Sequence, residues 1–544
     1  MHNTDRRNFL KISATFLSAT ATGTAVAAPR KTAAVWGAEH WNAGDLVHLL
    51  PLVNHRRLRI KASFREPRAE PPKLRVDART VVGTRSDTRG RFWCFDLDGL
   101  AAARTYELQL TESGGKPICD AWPLRTFPAP HAAVEHLRIL VYTCGGGNGK
   151  AKLPIGTPFF LPIEVRQRLL DRALSLPVDV AIGIGDQVYW DLETGLNHPR
   201  LGRFVRAFYD RYGRFDFDLP VLGSANEDVF TRVVDDQLST LYGVRFRSLP
   251  TYLTQDDHDY FENDVATDRI VTFPPTPYMR RLARATQRLY FPEFLPDEHL
   301  PGALPGVSSV DPTGGISQSF GTLRYGRLVE ALMYDCRGYL SLKGPTAGFV
   351  SRGVERWLAR RTADEPDVRH LLHLPSTPFG WSAGKWGEWY PDRLEADRSF
   401  GTKTAKPYWQ SGWFAQHQRL LKAIGGQEKR IPLIVSGDLH AVGSGRITRS
   451  GDWHSGAGVT SVLAGPLGTA GPGWPSAFRG TPPQVPSALE VQPSLSPVEK
   501  NGFTLIDITP KSVTLSQFAW RPPEPVEKID SLKPINVVRL ARPG

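Results

Sequence analysis

Five apolar runs, each ending in side chains able to hold a metal ion, constrain this chain more than anything else in it. The run Arg138–Tyr142 leads into Thr143, Cys144 and the glycines Gly145 to Gly147. Val178–Ile184 leads into Gly185, Asp186, Tyr189 and Asp191. A run through Tyr252 and Leu253 ends in Gln255, Asp256, Asp257, His258 and Asp259. Glu330–Tyr334 ends in Asp335, Cys336 and Arg337, and Ile431–Val435 in Ser436, Gly437, Asp438, Leu439 and His440. Ligands of α/β folds gather outside the carboxyl ends of the strands. A single Asp after a strand is commonly a turn residue or helix cap. That explanation fails for Asp186, the Asp256–Asp259 cluster and the Asp438/His440 pair taken together.

The same stretch alternates strands with helical spacing. Residues 163–176 carry Val165, Leu169 and Ala173, with Leu170 and Leu174, at i,i+4 intervals. Residues 228–242 repeat the pattern through Val229, Val233, Leu238 and Tyr242, and a further helix over 414–424 precedes the strand at 431–435. This alternation predicts an α/β domain over 131–544 with a largely parallel sheet. Residues 503–508 and 513–518 read as a closing hairpin. Two long segments, 260–315 and the Trp-rich 376–413, exceed ordinary connections and are expected to form a lid or wall.

Residues 32–130 differ. Leu58–Phe64, Arg91–Leu97 and Tyr106–Leu110 are short strands between Pro- and Gly-rich turns, which predicts a small all-β sandwich. The segment Leu97–Tyr106 resembles the tyrosine corner of fibronectin-type domains. Ahead of it, Arg6-Arg7 followed by Phe9-Leu10-Lys11, a mild apolar stretch and Ala25-Val26-Ala27 resemble a twin-arginine export signal over 1–27. A periplasmic or secreted protein, handled by the twin-arginine machinery, is expected.

Composition excludes several classes. Hydrophobic residues at 41% and charged residues at 22% describe a chain that buries real cores. No later run approaches ~20 apolar residues, so the mature chain is not expected to span a membrane. The net charge of +12 suits phosphate-bearing ligands or simply an Arg-rich solvated surface, and no basic run with interleaved aromatics marks a nucleic-acid binder. Four cysteines do not make a disulfide scaffold, although an oxidising compartment would permit Cys94 and Cys119 to pair. The segment Cys144–Lys150 is not a P-loop. Cys144 stands where its first Gly is needed, Ala151 where Ser or Thr is needed, and Pro154 follows too soon for a helix.

In their order along the chain, Gly185-Asp186-x-x-Tyr189, Asp256-Asp257-His258-Asp259 and Gly437-Asp438-Leu439-His440 resemble the calcineurin-like metallophosphoesterases, and more closely their alkaline phosphatase D (PhoD-like) branch. Shared with that branch are Cys144 in place of the first-strand Asp-x-His, Tyr189 in place of the second-motif Asp, Asp257 for Asn, and Asp438 for the first His of Gly-His-x-His. The resemblance implies an α/β metallophosphoesterase domain, with a β-sandwich core flanked by helices, preceded by a small fibronectin-like sandwich. It also implies two metal centres bridged by Asp186. Cys144, Tyr189 and His440 would complete one, with ferric iron; Asp257 and Asp438 the other, with calcium.

Donor chemistry agrees, since thiolate and phenolate suit a transition metal and oxygens alone suit a hard cation. Cys144 as a buried small hydrophobe and Tyr189 as a packing residue remain open alternatives. His258 is the candidate acid or phosphate-polarising group. Asn263 and Arg337 are candidates for contacting phosphate or orienting ligands, with an ordinary salt bridge equally open for Arg337. His198, His373 and His454 read as structural. The expected activity is hydrolysis of phosphate mono- or diesters, of a small molecule or a phospholipid, by a hydroxide activated at paired metals. The alternatives are a phospholipase D-type phosphodiesterase and a non-catalytic exported metal-binding protein.

Overall fold

The computed structural model describes residues 41–148, 158–191, 202–295, 320–363 and 368–543. The expected export segment, His198 and the 296–319 part of the first insertion lie outside them.

The strand runs read from the sequence all form, but in two mixed sheets rather than one largely parallel sheet. In the first sheet Thr251–Thr254, Val180–Ile184 and Leu137–Thr143 run parallel. Asn501–Thr509 then adds antiparallel, followed by Ser512–Trp520 and Pro534–Ala541. The expected closing hairpin is therefore present and carries a third strand. In the second sheet Val329–Tyr334, His370–Pro375, Leu433–Ser436 and Trp453–Ala464 run parallel. Antiparallel strands flank them, Phe320–Tyr325 on one edge and Val442–Ser450 with Leu489–Val498 on the other.

Period-2 geometry explains why these runs are apolar throughout. Side chains alternate between faces, and here both faces are covered. Ile139, Val141, Ile182 and Ile184 of the first sheet share one buried cluster with Ala331, Met333, Leu372, Leu433 and Val435 of the second. Their alternates, Leu140, Tyr142 and Ala181 on one side and Leu332, Leu371 and Ile434 on the other, face a second cluster with the helices. Strands buried on both faces lose the polar alternation of a solvated sheet.

Ile163–Leu174 buries Leu169, Leu170, Ala173 and Leu174, the face its spacing predicted. Ser411–Gly425 buries Trp413, Leu420, Leu421 and Ile424. The helix read over 228–242 runs Asn226–Val234 and then widens into a π turn, Asp235–Ser239, before Thr240–Tyr242.

Ahead of these sheets lie two four-stranded antiparallel sheets. One holds Leu46–Val53, Leu58–Phe64, Phe92–Leu97 and Thr84–Arg85; the other holds Arg79–Val82, Lys73–Val76, Thr105–Thr111 and Trp122–Arg125. Ile60, Phe95, Leu74 and Leu108 share a core that continues into the central cluster. The Tyr106 hydroxyl accepts the Ala101 N–H at 2.6 Å, the bond of a tyrosine corner. A buried ionic group fastens the Leu58–Phe64 strand to residues 284–293. Glu293 takes Arg59 at 3.1 Å, Lys61 at 3.2 Å and also Arg284. Cys94 and Cys119 are separate free thiols. Among the described residues no helix is long and apolar enough to cross a membrane.

Candidate metal centre

The strand-end residues meet where the carboxyl ends of the two sheets abut. Gly437 makes the close approach: a Cβ there would stand 2.3 Å from Thr143 Oγ1 and 2.6 Å from the Ile184 carbonyl oxygen. Only a glycine lets the end of Leu433–Ser436 lie against the ends of the two first-sheet strands.

Cys144, Asp186, Asp438 and His440 all adopt left-handed backbone, with φ of 49°, 57°, 69° and 48°. For non-glycine residues this costs about 1 kcal/mol or more apiece, and such strain concentrates at functional sites. Here it turns four side chains from both sheets toward one point. Cys144 and Asp186 are 1% and 0% exposed. Asp186 Oδ2 accepts from Cys144 Sγ at 3.3 Å and from the Tyr189 hydroxyl at 3.1 Å, and Tyr189 lies 3.2 Å from His440 Nε2. His440 Nδ1 is 2.7 Å from the Gly473 carbonyl oxygen, so Nδ1 carries the proton and Nε2 presents its lone pair inward. Burial lowers His440 to about 4, which keeps the ring neutral.

Burial, reinforced by the Asp186 charge, pushes both the Cys144 thiol and the Tyr189 phenol well above their usual ranges. A cation is what ionises such groups in a dry site. Asp186 Oδ1 is buried without a hydrogen-bond partner. Donor types, orphaned oxygen and electrostatics thus fit a transition metal held by Cys144, Asp186, Tyr189 and His440.

Neighbouring carboxylates extend the donor set. Potential ligand atoms lie within 4.8 Å of one another in three overlapping groups: Cys144/Asp186/His440, Asp186/Asp257/His258 and Asp186/Asp256/Asp257/Asp438. Asp257 is held well below the usual carboxylate range: burial opposes this, but the charges of Lys385, His258 and Arg337 outweigh it. His258 Nδ1 is 2.7 Å from Asp191 Oδ1, and the His258 and Tyr189 rings pack at a tilt of 37° with centroids 4.1 Å apart. Burial alone would lower His258, yet the charges of Asp191, Asp257 and Asp186 raise it to about 10, so it is an imidazolium at neutral pH.

Asp259 fixes the turn that carries Asp186. Its Oδ2 accepts the N–H groups of Asp186 at 2.8 Å and Asp256 at 3.0 Å, and its Oδ1 those of Gln187 at 3.0 Å and Val188 at 2.9 Å. Burial and the Asp186 charge push Asp259 toward its neutral form. Four converging donors leave a proton on either oxygen facing another hydrogen, and they hold the group ionised. Gln237, projected by the π turn, accepts from the N–H groups of Gly147 at 2.7 Å and Tyr189 at 2.8 Å and donates to the Tyr189 carbonyl at 2.8 Å. π bulges commonly mark functional sites. Nothing in its sequence context marks Gln237 for this role.

Arg337 is fully buried and committed to protein partners. It takes Asp256 at 3.0 Å, Asp264 at 3.2 Å, Asp438 at 3.1 Å and the Gly387 carbonyl at 2.9 Å. Of the roles considered from sequence, contact with a phosphate would require it to leave these partners; orienting the carboxylates is what it does here. Asn263 is half-buried. Its N–H donates to Asp191 Oδ1 at 3.2 Å, and its own side-chain oxygen has no hydrogen-bond partner. Of the three histidines read as structural, His373 is buried beside Thr362 at 3.0 Å, and His454 lies on the Trp453–Ala464 strand, outside these groups. Lys385 and Asp264, which the sequence did not single out, sit in the centre: the Lys385 ammonium is 2.8 Å from Asp257, 2.7 Å from Asp438 and 3.0 Å from Asp264.

In overall structure the chain is similar to PhoD, at 13% sequence identity and a TM-score of 0.56, over 91% of this chain and 88% of that one. It is also similar to the purple acid phosphatase PPD1 isolated from seeds of yellow lupin (Lupinus luteus), at 11% identity and a TM-score of 0.53, over 92% of this chain and 75% of that one. No family model matches the chain, and no curated protein matches it in sequence. The likeness is one of fold: over about nine-tenths of its length the chain shares the architecture of these two structures.

Proposed function

We propose that the chain is an exported metal-dependent phosphoesterase of PhoD-like type. The observation that carries this reading is the cluster of Cys144, Asp186, Tyr189 and His440 from both sheets of a metallophosphoesterase fold: Cys144 and Tyr189 both donate to one buried Asp186 oxygen, and His440 Nε2 meets the Tyr189 hydroxyl. A soft thiolate and a phenolate select a transition metal, and iron is the ion proposed for this half. Calcium, the other ion the resemblance implies, meets carboxylates that already carry two side-chain cations.

A bound transition ion would supply Lewis-acid activation of water and of a phosphate oxygen. The remaining work belongs to side chains. His258, kept cationic by Asp191, donates a hydrogen bond to the transferring phosphoryl group or a proton to the leaving alkoxide. The Gly473 carbonyl holds the His440 tautomer, and Asp259 and Gln237 hold the backbone of Asp186 and Tyr189. Asn263, whose amide Nδ2 can donate to a phosphate oxygen, is the proposed substrate contact. The tyrosine-corner bond supports reading residues 32–130 as a fibronectin-like sandwich, and Arg6-Arg7 supports export by the twin-arginine route.

The test is hydrolysis of a chromogenic phosphate monoester and a diester by wild type and Asp186→Ala, with metal content measured on both. Loss of at least one ester hydrolysis together with loss of metal is expected. Full activity in Asp186→Ala would refute the proposal. Export is tested by fusing residues 1–30 to a reporter: Arg6→Lys with Arg7→Lys should retain the reporter in the cytoplasm.

A further inference from the structure

We infer that the second cation position of this centre is filled by the chain itself, with the Lys385 ammonium standing where a second metal ion would sit. This rests on the reading that Cys144, Asp186, Tyr189 and His440 take the first metal.

Three carboxylates from two stretches of chain surround the ammonium: it donates to Asp257 Oδ2 at 2.8 Å and Asp438 Oδ1 at 2.7 Å, and it forms an ion pair with Asp264 Oδ1 at 3.0 Å. A hard divalent ion would seek these same oxygens at about 2.3–2.6 Å, and it would need the volume the nitrogen occupies. Asp438 is the decisive ligand. Lys385 engages one of its oxygens and Arg337 the other, at 3.1 Å. Asp186 Oδ1, Asp256 Oδ2 and Asp257 Oδ1 remain without hydrogen-bond partners, so the pocket keeps the makings of a cation site but lacks Asp438 while the lysine is in place.

Lys385 does not reach in from a loose surface loop. Its side chain is buried, and the turn that bears it is tied at both ends. Glu388 accepts the Ala383 N–H at 3.0 Å and the Ser382 hydroxyl. Gly387 donates to Asp264 Oδ2 at 3.2 Å, and its carbonyl accepts from Arg337 at 2.9 Å. The flanking Trp386 and Trp389 are buried in the main core. The 376–413 insertion thus acts as a wall that delivers a fixed positive charge. Two side-chain cations balance a carboxylate cluster that otherwise demands a second ion, since buried charges are tolerated only when paired.

The test compares full-length wild type, Lys385→Gln and Lys385→Arg, each incubated with iron and then millimolar calcium, desalted, and assayed for metal per chain. Melting temperature is followed in a parallel calcium titration. Wild type and Lys385→Arg are expected to hold about one ion per chain and to show no calcium-dependent shift in Tm. Lys385→Gln is expected to gain a second ion and a calcium-dependent rise of about 2 °C or more. If Lys385→Gln does not fold, wild-type stoichiometry with Lys385→Arg decides. Two tightly held ions in wild type, or the same calcium response in wild type and Lys385→Gln, would overturn the inference and leave the proposed activity standing. No ion in wild type would overturn both.

Discussion

Replacing Asp259 by Asn tests whether the Asp186 turn is held as described. The side chains are nearly isosteric, so packing is conserved and the hydrogen bonds alone change. In the native site each carboxylate oxygen accepts two backbone N–H groups, those of Asp186 and Asp256 on one side and Gln187 and Val188 on the other. An amide offers one oxygen and one NH2 group. Whichever way it turns, two buried N–H groups lose their acceptor and face donors instead. An orphaned buried donor costs about 1–3 kcal/mol, so Asp259→Asn is expected to lose about 4 kcal/mol. With an m value of about 3 kcal/mol/M, the urea midpoint drops by about 1 M. Equilibrium unfolding followed by tryptophan fluorescence measures this, and metal content reports whether the turn still presents Asp186. A loss below about 1 kcal/mol with metal retained would refute the claim that Asp259 organises this turn.

Three further outcomes are expected. His258→Gln should lower kcat by about 100-fold or more on at least one phosphate ester while metal content stays at the wild-type level; parallel loss of metal would make His258 a ligand instead. Gly437→Ala drives a Cβ against Thr143 and Ile184 and should prise apart the ends of the two sheets, so it is expected to abolish metal retention; a fully loaded variant would show the seam to be yielding. Glu293 is held at about 2 because the charges of Lys61, Arg284 and Arg59 outweigh its burial. With a depressed folded-state value, its contribution is complete above about pH 4.5 and is lost as pH falls toward 2. It amounts to about 3 kcal/mol. Glu293→Gln should remove that dependence, and an unchanged acid-unfolding profile would count against it.

What was legible in the sequence came from periodicity and placement. Continuous apolar runs announced strands covered on both faces, and polar residues at their ends announced where a ligand belongs. Cys144, Asp186, Tyr189 and His440 do converge. Periodicity alone hid the division into two sheets, which only the family resemblance implied, because Leu433–Ser436 looks the same locally whether it joins Leu137–Thr143 or lies across from it. The final strand was missed for its exposure: only Val538 and Leu540 touch the core, while Ile535 and Val537 face outward. That alternation is the signal that was available. Lys385 gave none, since a lysine in a Trp-rich insertion carries no mark of the carboxylates it will meet. The role of Gln237 depends on one extra residue in a helical turn, which leaves the hydrophobic spacing almost unchanged.

The seam between the sheets also sets an order of events. The strand ending in Cys144 lies between Val180–Ile184 and Asn501–Thr509, so its platform is unfinished until nearly the whole chain has been made. Cys144, Asp186 and Tyr189 come from one sheet and His440 from the other; neither half of the chain alone owns a full ligand set. On the proposed reading, capture of an ion would therefore be a late step that only a completed molecule performs. Held from both sides, such an ion would be a clasp: parting the sheets would mean unloading it, and the stability of the assembly would become a function of the metal available to it.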